Sequence, residues 1–210
     1  MKTELKIKIC GITNLEDALA AAGLGADYLG FVLTESRRRI TPDHAGRIVA
    51  ELPASVIPVA VFRDEAEDEV ARAAETAGIR TVQIHGEKNP GQAVMLGSRF
   101  RLIRRIPVLP GDDAISLGRR LADCVDAVPL IDPGAGDGAV FDWNRFRGLS
   151  RPLSRGLARP FWLAGGLTPD NVKRAVALLN PAAVDVSTGV EKEAGKKDFD
   201  KMKRFISEAR

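Results

Sequence analysis

Eight short apolar runs alternate with longer helical patterns along the whole chain, and this alternation constrains the fold most. The predicted strands are Lys6–Cys10, Tyr28–Leu33, Val56–Phe62, Thr81–Ile84, Arg101–Arg105, Ala127–Ile131, Phe161–Leu163 and Ala183–Ser187. The predicted helices are Leu15–Ala22, Pro42–Glu51, Glu65–Thr76, Gly91–Leu96, Ala114–Leu121, Trp143–Leu149, Pro169–Leu179 and Phe199–Ala209. Such alternation favours parallel strands joined by helical crossovers.

Eight strand–helix units in 210 residues predict an α/β fold, a (β/α)8 barrel of the TIM type, with residues 1–210 as a single domain. An open doubly wound sheet is the alternative, but no Gly-x-Gly-x-x-Gly follows the first strand. At this length the barrel lies near the small end of the range for its fold.

The composition excludes several classes of function. A net charge of +3 without an aromatic-studded basic stripe argues against nucleic acid as a partner. Two cysteines, Cys10 and Cys124, cannot form a disulfide framework, and with two histidines and no Cys-x-x-Cys pair a metal site is not expected. No apolar run approaches the ~20 residues of a membrane span, and the charged N-terminus does not resemble a signal peptide. We expect a cytoplasmic protein without a membrane partner.

The first strand ends in a cysteine that is followed at once by a glycine. Gly11 allows a tight turn, so Cys10 is presented at the carboxyl end of the strand. In a β/α barrel the active site is built at that edge. The alternative is a buried cysteine that packs as a small hydrophobic residue, which is our interpretation of Cys124.

Two glycine-containing segments near the end of the chain predict a phosphate site. Gly165 and Gly166 follow the seventh strand, and Ser187, Thr188 and Gly189 end the eighth. Exposed backbone N–H groups and small hydroxyl side chains bind anions, and barrels commonly hold phosphate between these two loops. The alternative is a pair of ordinary glycine turns.

Three further polar residues are placed at strand ends or in the loops that follow them. Asp132 follows the apolar sixth strand and begins a loop, where partial burial would raise its pKa and suit it to donate a proton, although a turn-starting aspartate is the alternative. Arg38 lies in a run of three arginines and could bind a carboxylate through both nitrogens of its fork, although such runs are usually solvated. His85 ends the fourth strand and either contacts substrate or caps the strand.

These segments together resemble the phosphoribosylanthranilate isomerase family of tryptophan biosynthesis, in order and through nearly the whole chain. The matching segments are Lys8–Thr13, Gly25–Phe31, Val59–Phe62, Val82–Gly86, Leu130–Asp132, Phe141–Trp143, Leu163–Leu167 and Val184–Glu191. The Lys-Ile-Cys-Gly opening and the Ser-Thr-Gly-Val-Glu close are the most specific.

The resemblance implies an Amadori rearrangement of N-(5-phosphoribosyl)anthranilate to 1-(2-carboxyphenylamino)-1-deoxyribulose 5-phosphate. Asp132 would be the general acid and Cys10, as a thiolate favoured by its site, the general base. The implied binding residues are Arg38, His85 and Asp185 for the substrate, and Gly165, Gly166, Ser187, Thr188 and Gly189 for its phosphate. No metal or cofactor is implied, and we expect a phosphosugar substrate and a monomer or homodimer.

The chain departs from the family pattern in three places. Ser36-Arg37-Arg38 replaces the usual Ser-Pro-Arg, so Arg37 or Arg39 could take the role of Arg38. Asp137 adds a carboxylate to a loop that is usually Gly-Gly-Thr-Gly, and Thr188 replaces a serine while keeping the hydroxyl.

Two other functions fit parts of the pattern. The related histidine-pathway isomerase, or an enzyme serving both pathways, typically has an aspartate where this chain has Cys10. A non-catalytic sensor of phosphate ligands would need the glycine loops but neither Cys10 nor Asp132.

Overall fold

The computed structural model describes residues 4–86, 96–133, 141–149 and 160–210. Eight parallel strands form a closed barrel in sequential order, with β8 paired to β1. The strands are β1 (Lys6–Cys10), β2 (Tyr28–Val32), β3 (Ile57–Phe62), β4 (Thr81–Ile84), β5 (Arg101–Ile106), β6 (Val128–Ile131), β7 (Trp162–Leu163) and β8 (Ala183–Val186). The predicted barrel is confirmed, and every predicted strand is present.

Helices follow most of the strands. They are α1 (Leu15–Leu24), α2 (Pro42–Val49), α3 (Glu67–Thr76), α4 (Ala114–Asp123), α5 (Val172–Leu179) and α6 (Phe199–Ala209), with short 3-10 helices at Trp143–Phe146 and Thr188–Val190. Asn14, Thr41, Asp113 and Asp198 each accept a backbone N–H at a helix start, as N-cap residues do. No helix in the described ranges is long and apolar enough to cross a membrane.

Some of the predicted helix boundaries are wrong. The prediction that Pro169 begins a helix fails because residues 169–171 form a turn and α5 begins at Val172. Asn171 holds this turn: its side chain accepts from the Thr168 N–H and donates to the Gly166 carbonyl. The predicted helix at Trp143–Leu149 is only a 3-10 helix, and all but the last residue of the predicted helix Gly91–Leu96 lies outside the described residues.

Two features after β8 were not predicted, the 3-10 helix Thr188–Val190 and a hairpin. After β8 the chain forms a small antiparallel hairpin of β9 (Glu191–Glu193) and β10 (Lys196–Lys197). The hairpin packs against the start of α1, since the Lys197 N–H donates to Asp17 and the Thr13 hydroxyl to the Gly195 carbonyl. It carries two buried charged side chains, Glu191 and Lys197, to the rim of the barrel.

The strand alternation sorts side chains into two layers. Ile7 and Ile9 of β1 pack outward into the helix-facing core, whereas Lys8 and Cys10 point into the barrel. The apolar residues of the interior are Val32, Val59, Val61, Ile103, Leu130, Trp162, Ala164 and Ala183. Tyr28 packs edge-on against Trp162, with ring centroids 4.7 Å apart. Because side chains fill the interior, the space for a ligand lies at the carboxyl ends of the strands.

Candidate active site

A cavity of about 450 Å³ opens at the carboxyl ends of the barrel strands. All ten of the site residues predicted from the sequence line it: Cys10, Arg38, His85, Asp132, Gly165, Gly166, Asp185, Ser187, Thr188 and Gly189. Strand ends from β1, β4, β6 and β8 contribute side chains, and the loops after β2, β7 and β8 complete the wall. Cys124 lies elsewhere, buried, with its Sγ 3.7 Å from the Ala127 carbonyl oxygen.

Cys10 is the last residue of β1, a free thiol at the floor of the cavity. Burial raises the pKa of this thiol above its ordinary value, and the positive charges of Lys8 and Lys197 oppose the rise only in part. The prediction that the site favours the thiolate is therefore wrong, because the net shift of the pKa is upward and favours the protonated thiol. Its physical basis is present, however, since two cations act on the sulfur.

Asp132 and His85 face each other across part of the cavity. The His85 Nδ1 lies 3.9 Å from the Asp132 Oδ2, too far for a direct hydrogen bond. Burial, together with the positive charges of Lys8, Arg105 and Arg63, lowers the pKa of His85 to about 3. The imidazole is therefore neutral at physiological pH and forms no ion pair with Asp132.

The backbone of Asp132 is held at both of its polar groups. Its N–H donates to the Ile106 carbonyl at 3.3 Å, and its carbonyl accepts from the Arg105 Nε at 3.1 Å. Gly165 packs beside it, because a Cβ at Gly165 would lie 2.4 Å from the Pro133 Cδ and 3.3 Å from an Asp132 carboxylate oxygen. This close approach requires a residue without a side chain, and the φ of +88° there also favours glycine.

A buried ion pair lies beneath Cys10. The Lys8 Nζ donates to the Asp185 Oδ2 at 2.8 Å, and the two side chains are 0% and 6% exposed. Strand pairing places Lys8 of β1 opposite Asp185 of β8. The second oxygen of Asp185, Oδ1, is buried without a hydrogen-bond partner in the described part of the chain, and Asp185 lines the cavity. A substrate hydroxyl would satisfy it.

The structure separates the three consecutive arginines. Arg38 lines the cavity, whereas Arg39 pairs with Glu35 on the exposed surface and Arg37 is not part of the cavity wall. The Arg38 Nε and Nη2 each donate to Glu191 at 2.7 Å, and Nη2 also reaches the Thr188 hydroxyl at 3.2 Å. One edge of the guanidinium is therefore fixed, whereas Nη1 donates no hydrogen bond within the described ranges and is available to another anion.

The loops after β7 and β8 pack directly on one another. A Cβ at Gly189 would lie 2.0 Å from the Leu167 carbonyl oxygen, so only glycine permits this approach. The N–H groups of Gly166 and Gly189 donate no hydrogen bond within the described part of the chain. Two such donors beside small hydroxyl side chains suit an anion.

Four charged residues of this region were not assigned a role from the sequence: Lys8, Glu191, Lys197 and Lys201. Lys201 lines the cavity and donates to the Glu191 carbonyl at 2.8 Å. The Lys197 Nζ donates to the Glu191 carboxylate at 2.8 Å. The signal for Lys8 was its position two residues before Cys10, which places both side chains on one face of the strand.

Of the other two departures from the family pattern, the structure describes one. Asp137 falls in residues 134–140, which lie outside the described residues, as do residues 150–159 of the predicted loop before β7. Thr188 is described, and its hydroxyl contacts Arg38. No group of three or more His, Cys, Asp or Glu side chains among the described residues is arranged to hold a metal ion.

Comparisons with known proteins agree with this geometry. Residues 7–208 match the family model of N-(5'-phosphoribosyl)anthranilate (PRA) isomerase. A protein of that name from Geobacter sp. (strain M21) is 45% identical over 98% of both chains, and one from Marinomonas sp. (strain MWYL1) is 41% identical with the same coverage.

Solved structures give the same result. A phosphoribosyl anthranilate isomerase in complex with reduced 1-(o-carboxyphenylamino)-1-deoxyribulose 5-phosphate is 38% identical, covers 98% of both chains and superposes with a TM-score of 0.84. The enzyme from Thermotoga maritima is 36% identical over 98% of both chains with a TM-score of 0.87, and a further structure shows monomers generated from this dimeric enzyme. The chain belongs to the N-(5'-phosphoribosyl)anthranilate isomerase family.

Proposed function

We propose that Cys10 and Asp132 are the general base and the general acid with which this chain isomerises N-(5'-phosphoribosyl)anthranilate in tryptophan biosynthesis. The product is 1-(2-carboxyphenylamino)-1-deoxyribulose 5-phosphate, an aldose-to-ketose conversion. The observation that carries the proposal is that these two side chains, 122 positions apart in the sequence (132 − 10), line one cavity together with an arginine and two glycine loops.

The first step opens the furanose ring. Asp132 gives its proton to the ring oxygen, the bond from C1 to that oxygen breaks, and the anthranilate nitrogen supplies the electron pair that makes a protonated Schiff base. A carboxyl group suits this step only while it is protonated. The neutral imidazole of His85 does not stabilise the carboxylate form as a cation would.

The second step moves a proton from carbon. The Cys10 thiolate removes the proton from C2, and the electrons flow to the Schiff-base nitrogen to give an enolamine. The enolamine then tautomerises to the ketone, so no electrons enter or leave. The acid and the base must be in opposite protonation states at the same pH, which differing surroundings can supply.

The remaining wall of the cavity would hold the two ends of the substrate. Arg38 would bind the anthranilate carboxylate through Nη1, because Glu191 occupies its other edge. The backbone N–H groups of Gly165, Gly166 and Gly189, with the hydroxyls of Ser187 and Thr188, would bind the phosphate. Asp185 would accept a sugar hydroxyl at Oδ1, and His85 would contact the sugar beside Asp132.

The proposal includes a cytoplasmic location, because a catalytic thiol must stay reduced and reducing compartments keep it so. A monomer or a homodimer also stays a prediction, which sedimentation of the purified chain would decide.

Catalysis and binding should separate in a set of variants. Cys10→Ala and Asp132→Asn should each lower kcat by at least about 100-fold, the usual contribution of a positioned acid or base. Both variants should still bind the product analogue, reduced 1-(o-carboxyphenylamino)-1-deoxyribulose 5-phosphate. Gly166→Val should instead weaken phosphate-dependent binding, because a side chain would cover the N–H donors and the φ of +62° disfavours it.

Cys124→Ala is the matched control for loss of a thiol and should keep the wild-type kcat. An Asp132→Asn or Cys10→Ala enzyme with normal kcat would refute the assigned roles. Competition by inorganic phosphate that is equally strong in wild type and Gly166→Val would refute the phosphate site.

A further inference from the structure

Lys8 is a fully buried lysine inside the barrel. Its side chain is 0% exposed, which is rare for lysine unless a partner compensates its charge. Asp185 is that partner, at 2.8 Å. Lys8 takes no part in the steps proposed above, although its charge lies directly below the cavity floor.

The ammonium of Lys8 and the thiol of Cys10 share one small space. Both side chains point inward from β1, two residues apart, and Gly30 of β2 pairs with Cys10 in the ladder. A Cβ at Gly30 would lie 2.6 Å from the Cys10 Sγ and 3.1 Å from the Lys8 Nζ. The glycine therefore makes room for both groups against the same stretch of backbone.

The charges that act on the thiol come from every element packed around it. Lys8 lies on β1 itself, Asp185 on β8, Lys197 on β10, and Arg38 in the loop after β2. Asp132 and neutral His85 line the same cavity. Lys8 is the largest of the cationic effects on Cys10.

Lys8 stays protonated in this position. Burial by itself lowers its pKa, but the negative charge of Asp185 and the interaction with Cys10 outweigh burial and raise it above the ordinary value. Lys8 therefore cannot act as a base here. It can act as a fixed positive charge.

We propose that Lys8 is a positioning residue for the general base: its ammonium stabilises the thiolate of Cys10, and Asp185 fixes the ammonium while partly opposing it. The proposal rests on the proposed function, in which Cys10 removes the C2 proton. The proton of the resting thiol leaves to solvent through the cavity, and Lys8 keeps its own proton throughout. Lys8 and Asp185 should therefore act on the thiolate with opposite signs.

The test reads the thiolate directly, without turnover. In a Cys124→Ala background Cys10 is the only thiol, so its alkylation rate with iodoacetamide against pH gives the midpoint of its ionisation. Lys8→Met should raise this midpoint by about one pH unit or more, the usual effect of removing a nearby charge. Asp185→Asn should lower it, and Lys8→Arg should stay near wild type.

Turnover supplies the second readout. Lys8→Met should lower kcat/KM at neutral pH by about tenfold for each pH unit of that shift, and raising the pH should restore it. A residue that only packs would give a loss that pH does not restore. Lys6→Met is the matched control, because it removes an exposed lysine from the same strand and should leave the midpoint unchanged.

A folded Lys8→Met with a wild-type midpoint overturns the proposal. Should Lys8→Met fail to fold, Asp185→Asn decides, and a midpoint that rises or stays unchanged overturns it. Failure of the proposed function is distinct: Cys10→Ala with normal turnover would remove Cys10 as the base, whereas the alkylation midpoints would still report the effect of Lys8.

Discussion

The two sides of the cavity differ in the charges beside the catalytic group and in the element that holds it. Cys10 lies in a strand ladder, above a buried ion pair and beside two further cations, Lys197 and Arg38. Asp132 lies at the start of a loop and faces a neutral imidazole. On one side Lys8 and Lys197 oppose, in part, the rise that burial causes in the pKa of the thiol. On the other side His85 is neutral, and the Arg105 Nε donates to the Asp132 backbone carbonyl.

Because of this difference, different substitutions should disturb the two catalytic groups. The thiol depends on exact packing between neighbouring strands, so a small change of volume beside it should matter. Asp132 depends on the two hydrogen bonds of its backbone and on the close approach of Gly165. The two sides can therefore be disturbed separately.

The largest effect should come from crowding the base. Gly30→Ala would put a methyl group 2.6 Å from the Cys10 Sγ, so the sulfur must move. A displacement of about 1 Å can cost about 100-fold in rate, and overpacking costs about 1–3 kcal/mol of stability. We expect kcat to fall by about that factor, measured beside thermal unfolding.

Gly23→Ala is the matched control, because it adds the same methyl group where no atom lies within 4 Å. In the last turn of α1 it should stabilise the fold by at most about 0.5–1 kcal/mol, the figure for a helix interior, and leave kcat unchanged. Wild-type kcat in Gly30→Ala would show that the position of the thiol is not restricted by β2.

The same contrast explains what the sequence could predict. Cys10, Asp132 and the glycine loops follow strands, so counting strand–helix units was enough to bring them to one edge of a barrel. The family resemblance then supplied their roles. The placement of these residues thus depends on local pattern and topology, and their roles depend on the resemblance.

The charged network could not be predicted in that way. Lys6 and Lys8 alternate with apolar residues and are typical of the polar side of a strand, but only closure of the barrel brings Lys8 onto Asp185, 177 residues away. The Arg38–Glu191 pair likewise joins residues 153 apart. At Pro169 the local rule failed because the side chain of Asn171 stabilises a turn instead.

An intermediate effect is expected at Arg38, which lies on the Cys10 side of the cavity. Arg38→Ala removes a charged hydrogen-bond donor for the anthranilate carboxylate, and such bonds contribute about 1.5–3 kcal/mol. KM should therefore rise by about 10-fold to 100-fold, with a smaller change in kcat, as steady-state kinetics would measure.

Arg39→Ala is the control, since Arg39 is exposed and its ion-pair partner among the described residues is Glu35. It should leave KM within about twofold, because exposed ion pairs contribute little. A larger KM effect for Arg39 than for Arg38 would mean that the register of the arginine run is shifted in the bound state.

The smallest effect should come from the imidazole on the acid side. Because burial raises the pKa of Cys10, the thiolate fraction should increase as the pH rises, which gives log kcat/KM a rising limb. That limb belongs to the interacting groups of the site rather than to Cys10 alone. His85, with a pKa of about 3, stays neutral from about pH 5 to 9 and contributes no limb.

His85→Gln should therefore change KM modestly and leave the shape of the profile intact, as should the control His44→Gln outside the cavity. A limb near the ordinary histidine pKa that disappears only in His85→Gln would show that the imidazole titrates during turnover, and the two sides would then not differ in charge as described.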